Sequence, residues 1–330
     1  MFGSLWTSGC QLGRRRLAFS TSACPMNSED AVGLRPGKSR GARSAGARPV
    51  LKWAGGKTQL LGKILPRLPD RIETYFEPFV GGGAVFFALA VEGRFRRAVL
   101  SDLNRDLIEV YLALKEDVES VIAELRRLEH QIEESDYYRI RAKRPTARTP
   151  RSRIAARVIY LNKTGYNGLY RVNRSGNFNV PFGRYKKPKV CDEPNLRAAA
   201  QALQGVSIEC EDFETACRRA RPKDAVYFDP PYLPLSPTAN FTDYHHRPFL
   251  HEEHRRLADA MLKLKSRQVF ALLSNSDTPE TRRLYEGLTI ERVAAVRLIN
   301  SKGDQRGPVG EILVTSDAVL ARKRSPRRGS

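Results

Sequence analysis

The sequence predicts an α/β protein with a doubly wound, mostly parallel sheet of seven strands. From Val50 onward, short β-rich runs alternate with helical runs. Strands separated by helices imply right-handed crossovers and a sheet that is covered on both faces. The composition, with 41% hydrophobic and 28% charged residues, is ordinary for a folded protein. A length of 330 residues allows two domains, or one large domain with an insertion.

The predicted strands, in chain order, are Glu73–Glu77, Arg97–Asp102, Val206–Cys210, Ala225–Asp229, Gln268–Asn275, Arg292–Leu298 and Glu311–Thr315. Between the first two we expect an apolar helix, Ala84–Glu92, and after the second an amphipathic helix, about Asp106–Glu134. The alternation stops between residues 135 and 195. There, a helical run around Ile154–Leu161 and strand-like residues on both sides of Asn173–Gly176 predict an inserted, mainly helical domain with a β-hairpin.

The two ends of the chain differ from the rest in composition. Residues 1–48 hold eight Arg or Lys and two acidic residues and lack apolar periodicity, which predicts a disordered basic leader. Its run RRRLAFSTSA is typical of organelle presequences, although a translated upstream region with the true start at Met26 or later has the same pattern. Residues 321–330 hold five Arg or Lys and no acid and form a basic tail, so about half of the net charge of +21 lies in these ends.

The positive charge makes a long anion, and nucleic acid before a membrane surface, the first partner to consider. The five cysteines are odd in number and contain no C-x-x-C pair, which argues against a disulfide framework or a zinc site. No stretch of the sequence approaches roughly 18 consecutive apolar residues, so we expect no transmembrane helix.

The string FEPFVGGGAVFF places three glycines between the first strand and the following helix. Glycines there let the backbone turn sharply and approach a ligand closely. Asp102 follows Gly81 by 21 residues, at the end of the next strand, where a carboxylate can bind both hydroxyls of a ribose. The pattern favours an adenosine-containing cofactor. Because the full G-x-G-x-x-G is absent, a merely structural glycine turn is the alternative.

The string AVYFDPPY delivers a carboxylate, Asp229, to the edge of the sheet where ligands of such folds bind. Pro230 and Pro231 lack backbone donors, which leaves local carbonyl oxygens available to a ligand. Together with the ring of Tyr232, these groups offer two acceptors and a stacking surface to a planar base that carries an amine. The alternative is a polar strand end with a tight turn.

Five motifs in a fixed order resemble a known family of enzymes. They are KWAGGK (Lys52–Lys57), FEPFVGGG, SDLNRDLI (Ser101–Ile108), GYNGLYR with FNVPFGRYKKP, and DPPY with TANFT. They are similar to those of a Dam-type DNA adenine methyltransferase whose recognition domain precedes DPPY, over roughly residues 50–315. The resemblance implies a seven-stranded methyltransferase sheet, with residues 49–134 and 196–320 as the catalytic domain and 135–195 as the domain that recognises the DNA target.

By this resemblance, the cofactor is S-adenosylmethionine and the partner is double-stranded DNA. The implied cofactor-binding residues are Trp53, Ala54, Gly55, Lys57, Phe79, Gly81, Asp102, Asp212, Phe213 and Asp229; the implied catalytic residues are Asp229, Pro230, Pro231 and Tyr232. Physical chemistry agrees with these roles, since Lys57 can pair with the methionine carboxylate. A target adenine in a duplex must be extruded before such a site can reach it. No metal is needed for this reaction.

The resemblance also implies a set of residues that make or flank base contacts: Lys52, Tyr166, Asn167, Leu169, Arg171, Pro181, Arg184 and Tyr185. Arginine can bind guanine with two hydrogen bonds, and Leu or Pro can pack on a thymine methyl group. The matching positions favour GATC as the target. Lys186, Lys187 and Lys189 suit phosphate contacts, and a solvated basic hairpin is the alternative.

Other functions remain open at this point. They are a methyltransferase of the same fold that acts on another DNA site, on glutamine or on RNA; a non-catalytic DNA-binding protein; and a nicotinamide-dependent oxidoreductase. His245, His246, His251 and His254 cluster in the sequence, but no set of carboxylates or cysteines completes a zinc site. We expect residues 236–244 to cover the site as a mobile loop. We also expect a monomer in the bacterial cytoplasm, with organelle import as the minority alternative.

Overall fold

The computed structural model describes residues 46–53, 55–173, 175–232, 249–293 and 310–316. The predicted tail, the predicted cover at 236–244, Ala54 and nearly all of the predicted leader lie outside these residues.

Within the described residues, seven strands form one sheet: β1 Ile72–Glu77, β2 Phe95–Ser101, β3 Ser207–Glu209, β4 Ala225–Phe228, β5 Phe270–Ser276, β6 Thr289–Val293 and β7 Glu311–Thr315. Their order is β3-β2-β1-β4-β5-β7-β6. Strands β1 to β5 pair in parallel, whereas β7 is antiparallel to both of its neighbours. The prediction of a mostly parallel α/β sheet is therefore confirmed.

Nine α-helices accompany the described strands: α1 Leu61–Ile64, α2 Ala84–Glu92, α3 Arg105–Leu128, α4 Glu134–Ala142, α5 Arg151–Thr164, α6 Glu193–Ala202, α7 Phe213–Arg219, α8 His251–Ser266 and α9 Pro279–Leu284. Short 3-10 helices occupy Lys57–Leu60, Leu65–Arg67 and Tyr166–Gly168. The helix α2 has the predicted bounds because Gly93, with φ of 63°, ends it and returns its N–H to the carbonyls of the last turn.

The predicted helix Asp106–Glu134 is too long, and this boundary is wrong. The helix α3 ends at Leu128 and α4 begins at Glu134. Residues 129–133, between the two helices, hold no Gly or Pro that would mark the break in the sequence. The hydroxyl of Tyr160 donates a hydrogen bond to the carbonyl of Gln131 in the connecting turn, so the break is fixed by a contact from a distant part of the chain. The sixth predicted strand begins earlier than predicted, at Thr289, and its residues beyond Val293 lie outside the described part.

Two apolar layers cover the sheet, as expected for a doubly wound fold. Tyr75 and Tyr227 belong to the layer built with α2, α3, α5 and α6, whereas Phe76 and Phe228 belong to the layer built with α7 and α8. Successive residues of one strand enter opposite layers because side chains alternate across a strand. All four residues of β4 are buried, which explains its continuous apolar run.

Residues 165–183, called the hairpin below, pair without forming regular strands. Isolated bridges join Gly165 to Phe182 and Val172 to Phe178. At the tip, the N–H of Asn173 donates to the carbonyl of Asn177 over 2.9 Å. The preceding helix, α5, buries its apolar side in the same layer as α3. The division of the chain into a catalytic and a recognition domain stays a prediction.

Among the helices of the described residues, none is long and apolar enough to cross a membrane.

Candidate active site

The candidate site lies at the carboxyl ends of β1 and β4. These strands are neighbours and parallel, and the sheet continues from β1 to β2 on one side and from β4 to β5 on the other. Ligands of doubly wound sheets bind outside the strand ends at such a point, where the strand order reverses. The glycine-rich turn leaves β1 after Glu77, and the DPPY segment leaves β4 after Phe228. Both motifs therefore emerge at one edge, which we call the catalytic edge.

The glycine turn has the geometry that its composition predicts. Gly81 and Gly83 have φ values of 45° and 68°, in the left-handed region that favours glycine. A Cβ on Gly81 would lie 2.8 Å from the indole ring of Trp53. The carboxylate of Asp102 accepts the N–H of Gly81 over 3.2 Å and that of Asn104 over 2.9 Å. Asp102, the residue expected to bind the ribose, thus lies against the turn and is buried with it.

Trp53 covers the outside of this turn. A Cβ on Gly82 would lie 3.1 Å from the Cβ of Trp53, so the turn and the tryptophan are in close contact. The other neighbour of the indole is the ring of Tyr170, with centroids 5.7 Å apart and planes inclined by 27°. The hydroxyl of Tyr170 donates to Asp106 over 2.8 Å. Trp53 therefore lies between the glycine turn and the first limb of the hairpin.

An aromatic wall stands beside the turn and contains two of the implied cofactor-binding residues, Phe79 and Phe213. The rings of Phe79 and Phe213 stack with centroids 5.5 Å apart. Phe249 meets both of them edge-on, at 5.5 Å and 6.3 Å. The guanidinium of Arg256 lies 5.0 Å from the centre of the Phe213 ring. An apolar surface with a cation at its rim suits the flat face of an adenine.

Asp212 ends the loop after β3 and caps α7. Its Oδ1 accepts the N–H of Glu214 over 2.9 Å and a guanidinium hydrogen of Arg256 over 3.1 Å. Arg256 also pairs with Glu214 over 3.1 Å. Capping and pairing fix the carboxylate next to the aromatic wall.

The carboxylate of Asp229 forms a close ion pair with Lys57. The Nζ of Lys57 lies 2.6 Å from Oδ1 of Asp229 and also donates to the carbonyl of Gly55 over 2.6 Å. The same ammonium lies 4.8 Å from the centre of the Tyr232 ring. Lys57 is only 5% exposed. The lysine expected to meet the carboxylate of the cofactor thus contacts the carboxylate of the DPPY motif in this structure.

Burial and pairing act in opposite directions on these two groups. Burial lowers the pKa of Lys57, but the charge of Asp229 beside it more than offsets this, so the pKa of the ammonium lies above its usual range. Burial raises the pKa of Asp229, against the charge of Lys57 and a hydrogen bond from Ser274. The lysine is therefore charged at neutral pH, and its positive charge favours the ionised form of the aspartate.

The orientation of Asp229 is fixed from the neighbouring strand. The hydroxyl of Ser274, on β5, donates to Oδ1 of Asp229 over 3.2 Å. The hydroxyls of Tyr227 and Ser274 are 3.0 Å apart. Both are buried. A chain of hydroxyls thus runs from the interior of the sheet to the carboxylate and holds it in one direction.

Tyr232 is held at the other end of the DPPY segment. Its hydroxyl donates to Oε2 of Glu311 over 3.1 Å. Glu311 begins β7 and is 6% exposed. Pro230 is buried, whereas Pro231 and Tyr232 are partly exposed. The segment is therefore fastened at both ends, by Lys57 and by Glu311.

A second carboxyl group lies under the catalytic edge. Glu77 is 3% exposed and accepts a hydrogen bond from Tyr75 over 2.8 Å. Burial raises the pKa of Glu77 to about 8; the hydrogen bond from Tyr75 opposes this shift, and the negative charge of Asp229 adds to it. Glu77 therefore holds a proton at neutral pH, which limits the negative charge beneath Asp229.

The GYNG turn presents exposed groups at the start of the hairpin. Residues Tyr166–Gly168 form a 3-10 turn, and Asn167 has a φ of 54°. The side chains of Tyr166 and Asn167 are exposed and that of Leu169 is partly exposed. The N–H of Tyr166 donates to the carbonyl of the exposed Pro181 over 2.9 Å. Four predicted DNA-contacting residues thus lie together on this turn and the facing limb.

The two predicted base-reading arginines differ in how they are held. The Nε of Arg171 donates to Oδ1 of Asn179 over 2.7 Å, so its guanidinium is fastened across the hairpin. Arg184 is 80% exposed and its closest acid is Glu134, at 3.9 Å. The φ of Arg184 is 54°, which is uncommon for a residue with a side chain and typical of functional turns.

Lys52 joins this surface from the other end of the chain. Its side chain is exposed, and its Nζ lies 4.7 Å from the centre of the Tyr185 ring. A Cβ on Gly168 would lie 2.6 Å from the Cβ of Lys52. The resemblance implies that Lys52, Tyr185 and the GYNG turn share one interface, and in the structure they lie together.

The three lysines after the hairpin are not equivalent. Lys186 and Lys187 are exposed and form no ion pair within the described residues. Lys189 pairs with Asp192 over 2.9 Å. A phosphate contact by Lys189 would have to replace this pair, so Lys186 and Lys187 are the better candidates.

Several residues of the site were not found by sequence reasoning: Glu77, Asn162, Ser274, Arg256 and Glu311. Asn162, Ser274, Arg256 and Glu311 each bond to a predicted residue from a distant part of the chain, whereas Glu77 lies buried under the edge and bonds to Tyr75. The sequence marks two of them only by position. Glu77 lies in the FEPF segment before the glycines, and Ser274 lies near the end of a predicted strand.

Within the described residues, no group of three or more His, Cys, Asp or Glu is placed to hold a metal ion. His251 pairs with Glu280 over 2.9 Å, and His254 is fully buried. His245 and His246 lie outside the described residues.

The chain was compared with known proteins. The family model described as D12 class N6 adenine-specific DNA methyltransferase matches residues 53–299. The chain is 43% identical over 274 residues to the Type II methyltransferase M.MjaIII of Methanocaldococcus jannaschii, covering 78% of this chain and 95% of that protein. It is 41% identical over 270 residues to the DNA adenine methylase of Escherichia coli K12, covering 81% and 94%.

A third relative is the Type II methyltransferase M1.LlaDCHI of Lactococcus lactis, 40% identical over 274 residues, covering 82% of this chain and 95% of that protein. The family match covers most of the chain, and the relatives are matched over nearly their whole length. This chain therefore belongs to the D12 class of N6 adenine-specific DNA methyltransferases.

Proposed function

We propose that this adenine-specific DNA methyltransferase extrudes its target adenine from the duplex and methylates it within the sequence GATC. The position of Asp229 carries the proposal. Its carboxylate lies at the catalytic edge, is held by Lys57 and Ser274, and is followed by two prolines with no N–H donors. A fixed acceptor beside a backbone carbonyl suits the two hydrogens of an exocyclic amine.

The chain has the groups needed to orient that amine. Asp229 accepts one amine hydrogen and the carbonyl of Pro230 accepts the other, which turns the nitrogen lone pair away from the base plane. The ring of Tyr232, tied to Glu311, offers a stacking face. As the bond between the exocyclic nitrogen and the methyl group forms and the bond from the methyl group to sulfur breaks, the amine loses a proton. Asp229 already accepts a hydrogen bond from the amine and so takes this proton. Orientation and electrostatics supply most of the rate enhancement in such a site.

The family implies S-adenosylmethionine, which supplies a methyl group on a positively charged sulfur. The residues of this chain fit it. Asp102, against the glycine turn, suits the ribose hydroxyls, and the wall of Phe79 and Phe213 suits the adenine ring. The carboxylate of Asp212 suits the amine of that adenine. Lys57 would meet the methionine carboxylate only by sharing its ammonium with Asp229.

Extrusion of the base and the GATC target rest on the hairpin. A base inside a duplex cannot reach a carboxylate at a sheet edge, and unstacking costs a few kcal/mol. The exposed side chains of Tyr166 and Asn167 suit the space that the base leaves. Arg171 and Arg184 suit guanine, and Leu169 and Pro181 suit thymine methyl groups. The proposed site of action, on DNA in a bacterial cytoplasm, stays a prediction.

The central experiment compares Asp229→Ala and Asp229→Asn with the wild-type protein. Both substitutions remove the charged acceptor at the amine, so we expect methyl transfer to a duplex to fall by at least about 10³-fold. DNA binding, measured by fluorescence anisotropy, should change little. Substantial turnover in both variants would overturn the role of Asp229.

Two measurements test the finer points. Plasmid from a methylation-deficient host that expresses this chain should resist a nuclease that is blocked by methylated GATC. Full cutting would refute GATC as the target and would indicate methylation at another DNA site. Replacing the target adenine by 2-aminopurine should give a rise in fluorescence on binding, because the base leaves the stack. Unchanged fluorescence would refute extrusion.

A further inference from the structure

The side chain of Asn162 joins three segments that lie far apart in the sequence. Asn162 is on the last turn of α5 and is 3% exposed. Its Oδ1 accepts the backbone N–H of Lys52 over 2.8 Å. Its Nδ2 donates to the backbone carbonyl of Lys52 over 2.7 Å and to that of Gly168 over 2.9 Å. Only this orientation of the amide puts an acceptor against the N–H and donors against both carbonyls.

The joined segments belong to two different parts of the proposed function. Lys52 begins the KWAGGK segment, whose next residue, Trp53, packs on the glycine turn. Gly168 ends the GYNG turn, which leads into the hairpin. The absence of a side chain at Gly168 lets the stem of Lys52 approach closely. Asn162 thus holds the proposed cofactor segment and the proposed DNA-reading turn against each other.

A second contact runs in parallel. Trp53 touches the glycine turn on one side and stacks on Tyr170 of the hairpin on the other. Residues 52 and 53 are therefore held at two points. The side-chain amide of Asn162 bonds to the backbone of Lys52, and the ring of Tyr170 stacks on Trp53. Coupling between sites is carried by contiguous packed and hydrogen-bonded groups of this kind.

Asn195 offers a natural comparison within the same chain. Its Oδ1 accepts the N–H of Arg48 over 3.0 Å, and its Nδ2 donates to the carbonyl of Arg48 over 3.1 Å. The backbone contact is the same as that of Asn162 with Lys52, four positions upstream. No hydrogen bond from Asn195 to the hairpin is present within the described residues. Asn195 anchors the segment, whereas Asn162 anchors it and connects it.

We propose that Asn162 is a positioning residue that couples cofactor binding to DNA binding, through the segment at 52 and 53 and the GYNG turn. The inference rests on the proposed function of these two segments. Whichever ligand binds first holds the shared element in the position that the second ligand needs, so the second ligand binds more tightly. By linkage, the two ligands strengthen each other by the same factor.

The experiment measures that factor in the full-length protein. Titration calorimetry gives the dissociation constant of S-adenosylhomocysteine with and without a short duplex that the wild-type protein methylates. Their ratio is the coupling. The variants are Asn162→Ala and its control Asn195→Ala, which removes the same backbone contact without touching the hairpin.

We expect the same ratio of dissociation constants for the wild-type protein and Asn195→Ala. For Asn162→Ala we expect a ratio at least about fivefold smaller. A purely structural role would lower the melting temperature in both variants and leave the ratio alone. An unchanged ratio in Asn162→Ala would overturn the inference. Failure of the wild-type protein to bind S-adenosylhomocysteine would overturn the proposed function instead, so the two failures are distinguishable.

Two further measurements apply if Asn162→Ala does not fold. Asn162→Asp keeps the size of the side chain and the acceptor for the N–H of Lys52, but it loses both donors when ionised and keeps only one when protonated, so at least one of the bonds to Lys52 and Gly168 is lost and the coupling should fall. In the wild-type protein, S-adenosylhomocysteine should slow hydrogen exchange at the amides of Gly168 and Leu169. Unchanged exchange at these amides would overturn the inference without any variant.

Discussion

The catalytic edge and the hairpin with Arg184 directly after it carry their positive charges in opposite ways. Lys57 is 5% exposed and lies 2.6 Å from a carboxylate, whereas Arg184 is 80% exposed and lies 3.9 Å from Glu134. A buried charge has lost its water and depends on its partner. An exposed cation keeps its water until a phosphate or a base replaces it. The groups of the catalytic edge are thus already paired with each other, whereas the cations of the proposed recognition surface stay available to DNA.

The largest effect should follow from breaking the buried pair. In Lys57→Met, a side chain of similar length leaves Asp229 without its counter-charge, and we expect methyl transfer to fall by about 10³-fold or more. The pKa of Asp229 should also rise, because the charge that opposes burial is gone. Single-turnover rates should therefore recover partly as the pH increases.

Lys63→Met is the matched control, since Lys63 is exposed and should behave as wild type. A rate for Lys57→Met within about tenfold of the wild-type rate would contradict the importance of the pair.

The next effect concerns the protonated carboxyl below the edge. The pKa of Glu77 lies at about 8 in the folded protein against its usual 4.5, so the folded state binds more protons between these values. Stability should therefore fall as the pH rises through this window, by roughly 2–3 kcal/mol between about pH 5.5 and about pH 7.5. Glu77→Gln cannot titrate and should lack this part of the slope. Equal slopes in urea unfolding for both proteins would refute the shift.

A smaller effect is expected for the exposed arginines Arg171 and Arg184. Arg171→Ala and Arg184→Ala should each weaken binding of the target duplex by roughly 1–3 kcal/mol and relax the preference at one base pair. Arg153→Ala is the control, because Arg153 is exposed on α5 and pairs with Glu124 over 3.5 Å. Competition binding with single-substituted duplexes measures both effects. A uniform loss across all sequences would assign the arginines to the phosphate backbone instead.

The smallest effect separates two neighbouring lysines. Lys187→Ala should lower the slope of log affinity against log salt by about 1 and leave the target preference unchanged. Lys189→Ala should change the slope less, because Lys189 is already paired with Asp192. The reverse order would show that DNA displaces this ion pair.

The elements of the sheet were predictable because burial on two faces leaves a mark in the sequence. The run before Asp229 is apolar at every position, and β4 is buried at every position. Gly81 and Asp102 were found together because their spacing reflects one strand-turn-helix-strand unit. The end of α3 was not predictable, since no Gly or Pro directly follows it and a contact from Tyr160 lies at the turn.

The partners of the site residues were beyond the sequence for a different reason. Lys57 was expected to face the cofactor, and nothing near it in the chain indicates that it meets Asp229. Asn162 makes its contacts with Lys52 across 110 positions. Such pairs depend on how strands and helices are placed in three dimensions, and a pattern within one segment carries no trace of them.

The two ends of the hairpin lie one bridge apart. Gly165 is bridged to Phe182, and the N–H of Gly183 donates to the carbonyl of Thr164 over 2.9 Å. The segment between these ends therefore leaves the rest of the protein and returns to it at one place, the end of α5. New sequences of other lengths can therefore occupy the tip without moving α5 or the sheet. Under the proposed role of the hairpin, a new DNA target can therefore arise by mutation or by grafting at this one place, while the sheet and its catalytic edge stay unchanged.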